Sequence, residues 1–249
     1  MKKYSTVFFD LFDTIINFNF KKLPAVDMNG IRSRTTSKEV YAVFSRYYPK
    51  IRFTTFYPPF IESYHRFQEM KLEEFREYPN RDRFKLMLNI MNIEPTGKTA
   101  GMIEEMVTAH MGGLASCVVF PEENKNILER IKSAGYGTAI VSNFDYAPTA
   151  YALIDKHGIR EFFDEIVISE EVGWRKPKPA IFHRALELTN KEPGEVLFVG
   201  DNFGADVAGA KSVGIDAAWL NTKNRTTSDL TPPPDYVISA LPQLHDILL

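Results

Sequence analysis

The 249-residue chain predicts an α/β fold built on a doubly wound parallel sheet, with a helical domain inserted into it. Three observations carry this. From Pro121 onward, short apolar runs alternate with amphipathic segments of helical length, the pattern of parallel strands joined by helical crossovers. A further run of strand character, Thr6-Val7-Phe8-Phe9, stands near the start and ends at Asp10. Between the two lies a stretch of about a hundred residues with helical spacing and many aromatic side chains. The expected division is therefore an α/β core from 1–16 and 118–249 and a helical insertion from 17–117.

Residues 4–9 are the first strand. Asn17 to Arg34, with Pro24, Gly30 and several basic residues, shows no clear period and reads as a long loop. Val40, Tyr41 and Phe44 recur at helical spacing in 38–48, with Thr36 or Ser37 as the cap. Pro58-Pro59 is expected to break the chain. A helix is then expected over 60–75, with Ile61, Tyr64, Phe67 and Leu72 as apolar positions. Another follows over 81–91 through Phe84, Leu86, Leu88 and Ile90. A last one covers 99–111, with Met102, Met106 and Val107 on one face. In the C-terminal half, helices are expected over 122–134, 151–157, 179–188, 205–213 and 241–249. Strands are expected over 138–141, 165–168, 196–199, 217–220 and 236–238, with a polar, Pro-rich loop at 226–234. Gly135, Gly158 and Gly214 stand where helices end, and Pro179 suits a first helical turn.

Composition narrows the function. Lys plus Arg is 30 and Asp plus Glu 32, a net charge of -2, which argues against a general nucleic-acid binder. Hydrophobic residues are 44% and charged residues 25%, as in an ordinary globular chain. The one cysteine, Cys117, excludes an intramolecular disulfide and a cysteine-rich zinc site, and its neighbours Val118 and Val119 make it a core residue. Met1-Lys2-Lys3 resembles the head of a secretory leader, but the apolar run after it stops at Asp10, too early. No run reaches the length of a membrane span, so a cytoplasmic enzyme is expected. His65, His110, His157, His183 and His245 show no metal-site spacing.

The chemistry is expected at the strand ends, where open α/β sheets place it. Four stretches put polar groups there: Asp10-Leu11-Phe12-Asp13-Thr14, Ser142-Asn143, Lys176-Pro177-Lys178-Pro179 and Gly200-Asp201 with Asp206. An acid capping the next helix, a solvated lysine or a turn hydroxyl accounts for any one of them; the four in order do not reduce to that.

In that order and spacing the four stretches resemble the haloacid dehalogenase-like (HAD) hydrolase superfamily, over nearly the whole chain. The resemblance implies a Rossmann-like core with a helical cap packed over the C-terminal edge of the sheet. Asp10 is then the nucleophile, forming an aspartyl-phosphate. Ser142 and the amide of Asn143 bind the phosphoryl oxygens, and Lys176 neutralises the phosphate and holds Asp10. Mg²⁺ sits on Asp10, Asp201 and the backbone carbonyl of Phe12, with Asp206 as a ligand or an anchor for the ligands. The implied activity is Mg²⁺-dependent hydrolysis of a small phosphorylated metabolite. One position departs: Phe12 stands where the family's phosphatases carry an acid that protonates the leaving group. Dehalogenases of the family carry an aromatic residue there. The same resemblance therefore implies two alternatives, a metal-independent 2-haloacid dehalogenase and a binding or regulatory protein without turnover. Asp13 is expected to point away from the site, as neighbouring side chains of an extended segment do, unless the loop bends there. Lys21, Lys22, Arg32 and Arg34 read as a solvated basic loop, and Phe53, Phe56, Tyr57 and Phe60 as core of the insertion.

Overall fold

The structure, a computed structural model, describes residues 3–28, 30–226 and 230–249. Met1 and Lys2 of the leader-like head, Asn29 of the expected loop, and Thr227, Ser228 and Asp229 of the Pro-rich loop lie outside the described residues. By internal packing the chain forms two units, Met1–Asn17 with Val119–Leu249, and Phe18–Val118.

The first unit opens on β1 (Thr6–Phe9), which is wholly buried. The chain passes out through β2 (Asn17–Phe18) and into the second unit. There β3 (Ala25–Met28) and β4 (Ile31–Arg34) pair antiparallel, Met28 opposite Ile31. This replaces the loop expected at 17–34. The dipeptide Asn29-Gly30 is the sequence signal for a two-residue hairpin, and Gly30 takes the left-handed φ of +78°. Four helices follow: α1 (Ser37–Tyr47), α2 (Phe53–Glu74), α3 (Asn80–Ile90) and α4 (Gly97–Ala115).

Pro58-Pro59 does not break the chain: both lie inside α2, which begins seven residues earlier than expected. The carbonyls their rings leave without an N–H belong to Thr54 and Thr55, two exposed residues. The same turns bury Phe56, Tyr57 and Phe60, with Phe56 5.1 Å from Phe44 and 5.3 Å from Tyr41 between ring centroids. Packing against α1 thus outweighs the proline penalty. Further along α2 the buried face carries Ser63, Phe67 and Lys71, while Tyr64 and Leu72 are exposed, the reverse of the expectation for those two. In α3 the buried positions are Asn80, Arg83, Phe84, Met87 and Leu88. Met102, Met106 and Val107 of α4 are fully buried, as is Cys117, a free thiol.

The return passes through β5 (Val118–Val119), which pairs with β2. Then come α5 (Glu122–Ser133), β6 (Gly137–Ser142), α6 (Ala147–Lys156), β7 (Glu165–Ile168), α7 (Ser169–Val172), α8 (Pro179–Thr189) and β8 (Val196–Gly200). Residues 203–208 are a π-helical turn rather than the α-helix expected; it runs into α9 (Gly209–Ser212), and β9 (Asp216–Leu220), β10 (Tyr236–Ile238) and α10 (His245–Leu248) complete the unit.

The six long strands form one sheet in the order β10-β9-β8-β1-β6-β7, every neighbour parallel. Side chains alternate across it. Phe8 joins Phe198, Phe182 and Ile181 in a core on one face, and Phe9 meets Phe163 on the other. From β1 the chain order runs outward in both directions, through β6 to β7 and through β8 to β10. The sheet therefore reverses its winding at β1, which is where such sheets open a crevice beyond their C-terminal ends. Among the described residues, no helix is long and apolar enough to cross a membrane.

Candidate active site

Register brings the strand-end residues together. Phe9 pairs with Ile140 of β6 on one side and Val199 of β8 on the other. One step on, Asp10 leaves the sheet, its N–H still donating to the Val199 carbonyl at 2.9 Å. It therefore lies level with Gly200, beside Asp201, and just short of Ser142.

Lys176 binds this group together. Its ammonium lies 2.8 Å from Asp10 Oδ1 and 2.7 Å from Asp206 Oδ1, almost wholly buried. Burial works against its charge, but Asp10 and Asp206 outweigh this and hold the ammonium above its ordinary range. Asn143 fixes the lysine's backbone at both ends: its side-chain oxygen accepts from the Lys176 N–H at 2.7 Å, and its amide donates to the Lys176 carbonyl at 3.0 Å. The side chain of Asn143 is thus committed to positioning Lys176.

Asp206 is carried on the π-turn. Its other oxygen accepts from the Asn202 N–H at 2.9 Å, so both oxygens are engaged. This requires the glycine at 200: a Cβ there would fall 2.3 Å from Asp206 Oδ2. Gly200, Asn202 and the π-turn are positioning features that helix periodicity does not reveal. Asp201 is partly exposed, and its carbonyl accepts from the Trp219 indole at 2.9 Å.

Asp10, Asp201 and Asp206 offer carboxylate oxygens that all lie within 4.8 Å of one another. The electrostatics show the crowding. Burial, then the charges of Asp10, Asp206 and Asp13, push Asp201 up to about 7. Burial and Asp10 push Asp206 up to about 6 against the pull of Lys176. A cluster of hard oxygen donors that repel one another, with one lysine among them, fits a hard divalent cation.

Ser142 is fully buried and its hydroxyl has no hydrogen-bond partner among the described residues. A buried hydroxyl left unpaired is uncommon and calls for an explanation. The loop after Asp10 bends at Asp13, which takes a φ of 60° and donates its N–H to the Ile16 carbonyl at 2.6 Å. The loop bends there, the condition under which Asp13 need not point away, and the charge of Asp13 helps to raise Asp201. The Asn124 side chain holds this loop through the carbonyls of Thr14 and Ile15, at 3.2 and 2.9 Å. Phe12 stacks on Phe144, ring centroids 4.5 Å apart and planes at 29°. Phe144 in turn is pinned by Ser169, whose hydroxyl accepts from its N–H at 2.9 Å and donates to its carbonyl at 3.2 Å. Of the basic residues at 21–34, Arg34 is used structurally, donating to the Leu23 carbonyl at 2.6 Å.

A glyceraldehyde 3-phosphate phosphatase from Pyrococcus furiosus is 28% identical over 250 residues, covering 100% of this chain and 94% of its own. An (S)-2-haloacid dehalogenase from Pseudomonas is 32% identical over 126 residues, 51% of this chain and 54% of its own. The magnesium-bound HAD hydrolase YfnB from Bacillus subtilis superposes with a TM-score of 0.62 over the full length of both chains at 20% identity, a likeness of fold. The family model for haloacid dehalogenase-like hydrolases matches residues 4–214, and the chain belongs to that family.

Proposed function

We propose that this hydrolase is a Mg²⁺-dependent phosphatase of a small phosphorylated metabolite, with Asp10 as the nucleophile. The observation that carries the reading is the buried ammonium of Lys176 between Asp10 and Asp206, with the Asp201 carboxylate beside them. Lys176 engages Asp10 Oδ1, while among the described residues Oδ2 has only a long contact from Thr14 Oγ1 at 3.4 Å. That second oxygen attacks phosphorus, the bond to the leaving oxygen breaks with its electron pair, and an aspartyl-phosphate forms. Water then attacks phosphorus and the bond to Asp10 breaks, restoring the carboxylate. Ser142 Oγ and the Asn143 N–H donate to the phosphoryl oxygens, and Lys176 offsets their charge. Asp10, Asp201 and the Phe12 carbonyl would hold Mg²⁺, with Asp206 as anchor; when bound, the ion neutralises the phosphate so that an anion can approach it. The helical unit is read as the family's cap, the part that chooses the substrate. The phosphatase named among the relatives supports a small phosphorylated substrate.

One observation favours a second reading. Phe12 offers no proton, and a halide needs none on leaving, so 2-haloacid dehalogenation without metal suits that residue. Release of phosphate from a panel of phosphorylated metabolites, and of halide from 2-haloacids, each with Mg²⁺ and with EDTA, separates the two. The phosphatase reading expects phosphate release that EDTA abolishes, and calorimetric Mg²⁺ binding that Asp201→Ala removes. Halide release untouched by EDTA would put the dehalogenase in its place.

A further inference from the structure

We propose that Asn124 is a positioning residue for the reaction: its side-chain amide holds the turn after β1, and through the Thr14 hydroxyl that turn sets Asp10 Oδ2. The inference rests on the phosphatase reading, in which that oxygen attacks phosphorus.

The turn is closed partly by its own backbone. The Leu11 carbonyl accepts from the N–H groups of Ile15 and Ile16, both at 3.0 Å, and the Ile16 carbonyl accepts from the Asp13 N–H at 2.6 Å. The carbonyls of Thr14 and Ile15, both buried residues, are met from outside the turn. The Asn124 amide donates to the first at 3.2 Å and to the second at 2.9 Å. A primary amide carries two N–H donors, so one side chain serves both acceptors. Buried carbonyls require such partners. Asparagine is mostly a surface residue. Asn124 is only 7% exposed, and it shares the inner face of α5 with Ile127, Leu128 and Ile131. The two carbonyls account for a polar side chain at that core position.

The link to the chemistry runs through Thr14. Its carbonyl is held by Asn124, and its hydroxyl reaches Asp10 Oδ2 at 3.4 Å, near the limit of a hydrogen bond. Lys176 holds the other oxygen, Oδ1. At that length a small shift of the turn breaks the Thr14 contact and frees the carboxylate to rotate about its bond to Lys176. A misplaced nucleophile is costly: about 1 Å is worth about a hundredfold in rate. The groups assigned to the phosphoryl oxygens, Ser142, the Asn143 N–H and Lys176, stand at the end of β6 and ahead of α8, outside this turn. Loss of the Asn124 donors should therefore slow the attack and spare substrate binding.

The test compares three variants of the full chain. Asn124→Leu keeps the size and removes the donors. Asn124→Asp keeps the shape, but a carboxylate only accepts. Ile127→Ala weakens the same helix and leaves the amide in place. Steady-state kinetics use p-nitrophenyl phosphate with Mg²⁺, each rate taken per folded chain by circular dichroism. Both Asn124 variants should lose about tenfold to a hundredfold in kcat, with KM within about threefold of the parent, while Ile127→Ala keeps the parent kcat. Amide hydrogen exchange should quicken at Ile15 and Ile16, relative to the amides of β6, in the two Asn124 variants and not in Ile127→Ala. In the parent, the Asn124 side-chain amide protons should be protected from exchange, a reading that needs no variant to fold. Full kcat in either folded Asn124 variant, an equal loss in Ile127→Ala, or Asn124 protons that exchange as fast as those of a surface asparagine would overturn the proposal. A parent that releases no phosphate would remove the phosphatase reading, and the inference with it, even where exchange shows the turn held.

Discussion

Each unit of the molecule buries a lysine against carboxylates, and the two differ in what surrounds the pair. In the helical unit, Lys71 Nζ lies 3.0 Å from Glu77 Oε1 and 4.4 Å from the centre of the Phe67 ring. Close by in the sequence, Arg83 donates to the Phe60 carbonyl at 3.2 Å and contacts His110 Nε2 at 3.1 Å. A guanidinium only donates, so Nε2 accepts, and Nδ1 carries the proton toward Thr36 Oγ1 at 2.5 Å. Base answers acid and donor answers acceptor; this is the wiring of a helical core. At the strand ends, one ammonium faces Asp10 and Asp206 with Asp201 alongside. Negative charge is in surplus, and Asp201 and Asp206 are pushed up accordingly. A surplus of buried like charge costs stability. On the proposed function, a cation and a phosphoryl group balance it.

The comparison breaks most visibly in turnover. Asp10→Asn should lower phosphatase activity by about a thousandfold or more, whereas Glu77→Gln should leave it within severalfold once the protein is folded; steady-state assays on purified variants decide. A fully active Asp10→Asn would mean the surplus of charge is not an active site.

In stability the order reverses. Glu77→Gln strands a buried lysine and should cost about 3–5 kcal/mol, with most of it recovered in Lys71→Met/Glu77→Leu. Lys176→Met should cost a similar amount at pH 7, but its loss should shrink toward pH 5 as the abandoned carboxylates take up protons. Urea denaturation at the two pH values reads both; equal pH dependence for the two variants would erase the distinction.

A gentler effect belongs to the parent. Asp201 is held up to about 7 in the folded protein, against about 3.9 for an unfolded aspartate. The folded state thus binds more protons than the unfolded one between these values, and its stability falls as pH rises from about 4 to about 7. Mg²⁺ prefers the ionised carboxylates and should flatten this slope. Thermal melts at pH 5 and pH 7.5, with EDTA and with Mg²⁺, test it; a slope indifferent to Mg²⁺ would separate the metal from the cluster.

The smallest effect sharpens the helical side. Leu72 is 60% exposed, so Leu72→Ser should change stability by no more than about 0.5 kcal/mol. Phe67→Ala, one turn earlier on the buried face, should cost about 3–5 kcal/mol. A large loss at Leu72, measured by the same denaturation, would return it to the core.

Some of this was open to a reader of the chain and some was not. Buried strands announce themselves by unbroken apolar runs, so β1, β6 and β8 could be read, and with them Asp10, Ser142 and Asp201 at their ends. Pro179 marked the start of α8, and Met102, Met106 and Val107 marked the inner face of α4, because backbone geometry and helical period are local properties. What depended on partners distant in the chain could not be read so. Pro58 and Pro59 sit inside a helix because aromatic contacts with α1 outweigh two missing N–H groups. Lys71 is buried because Glu77 meets it, and Leu72 is exposed because the helix turns its neighbour inward. Asn143 spends its side chain on Lys176, thirty-three residues away. Gly200 is bare because Asp206 fills the space where a Cβ would be, and Phe12 is held by a ring that arrives from another strand. The sequence by itself determined where the chain could bury backbone and where it had to stop. Only the tertiary structure decided which charges would meet, since the energy of a buried charge depends on what stands within a few ångströms of it and hardly at all on its neighbours along the chain.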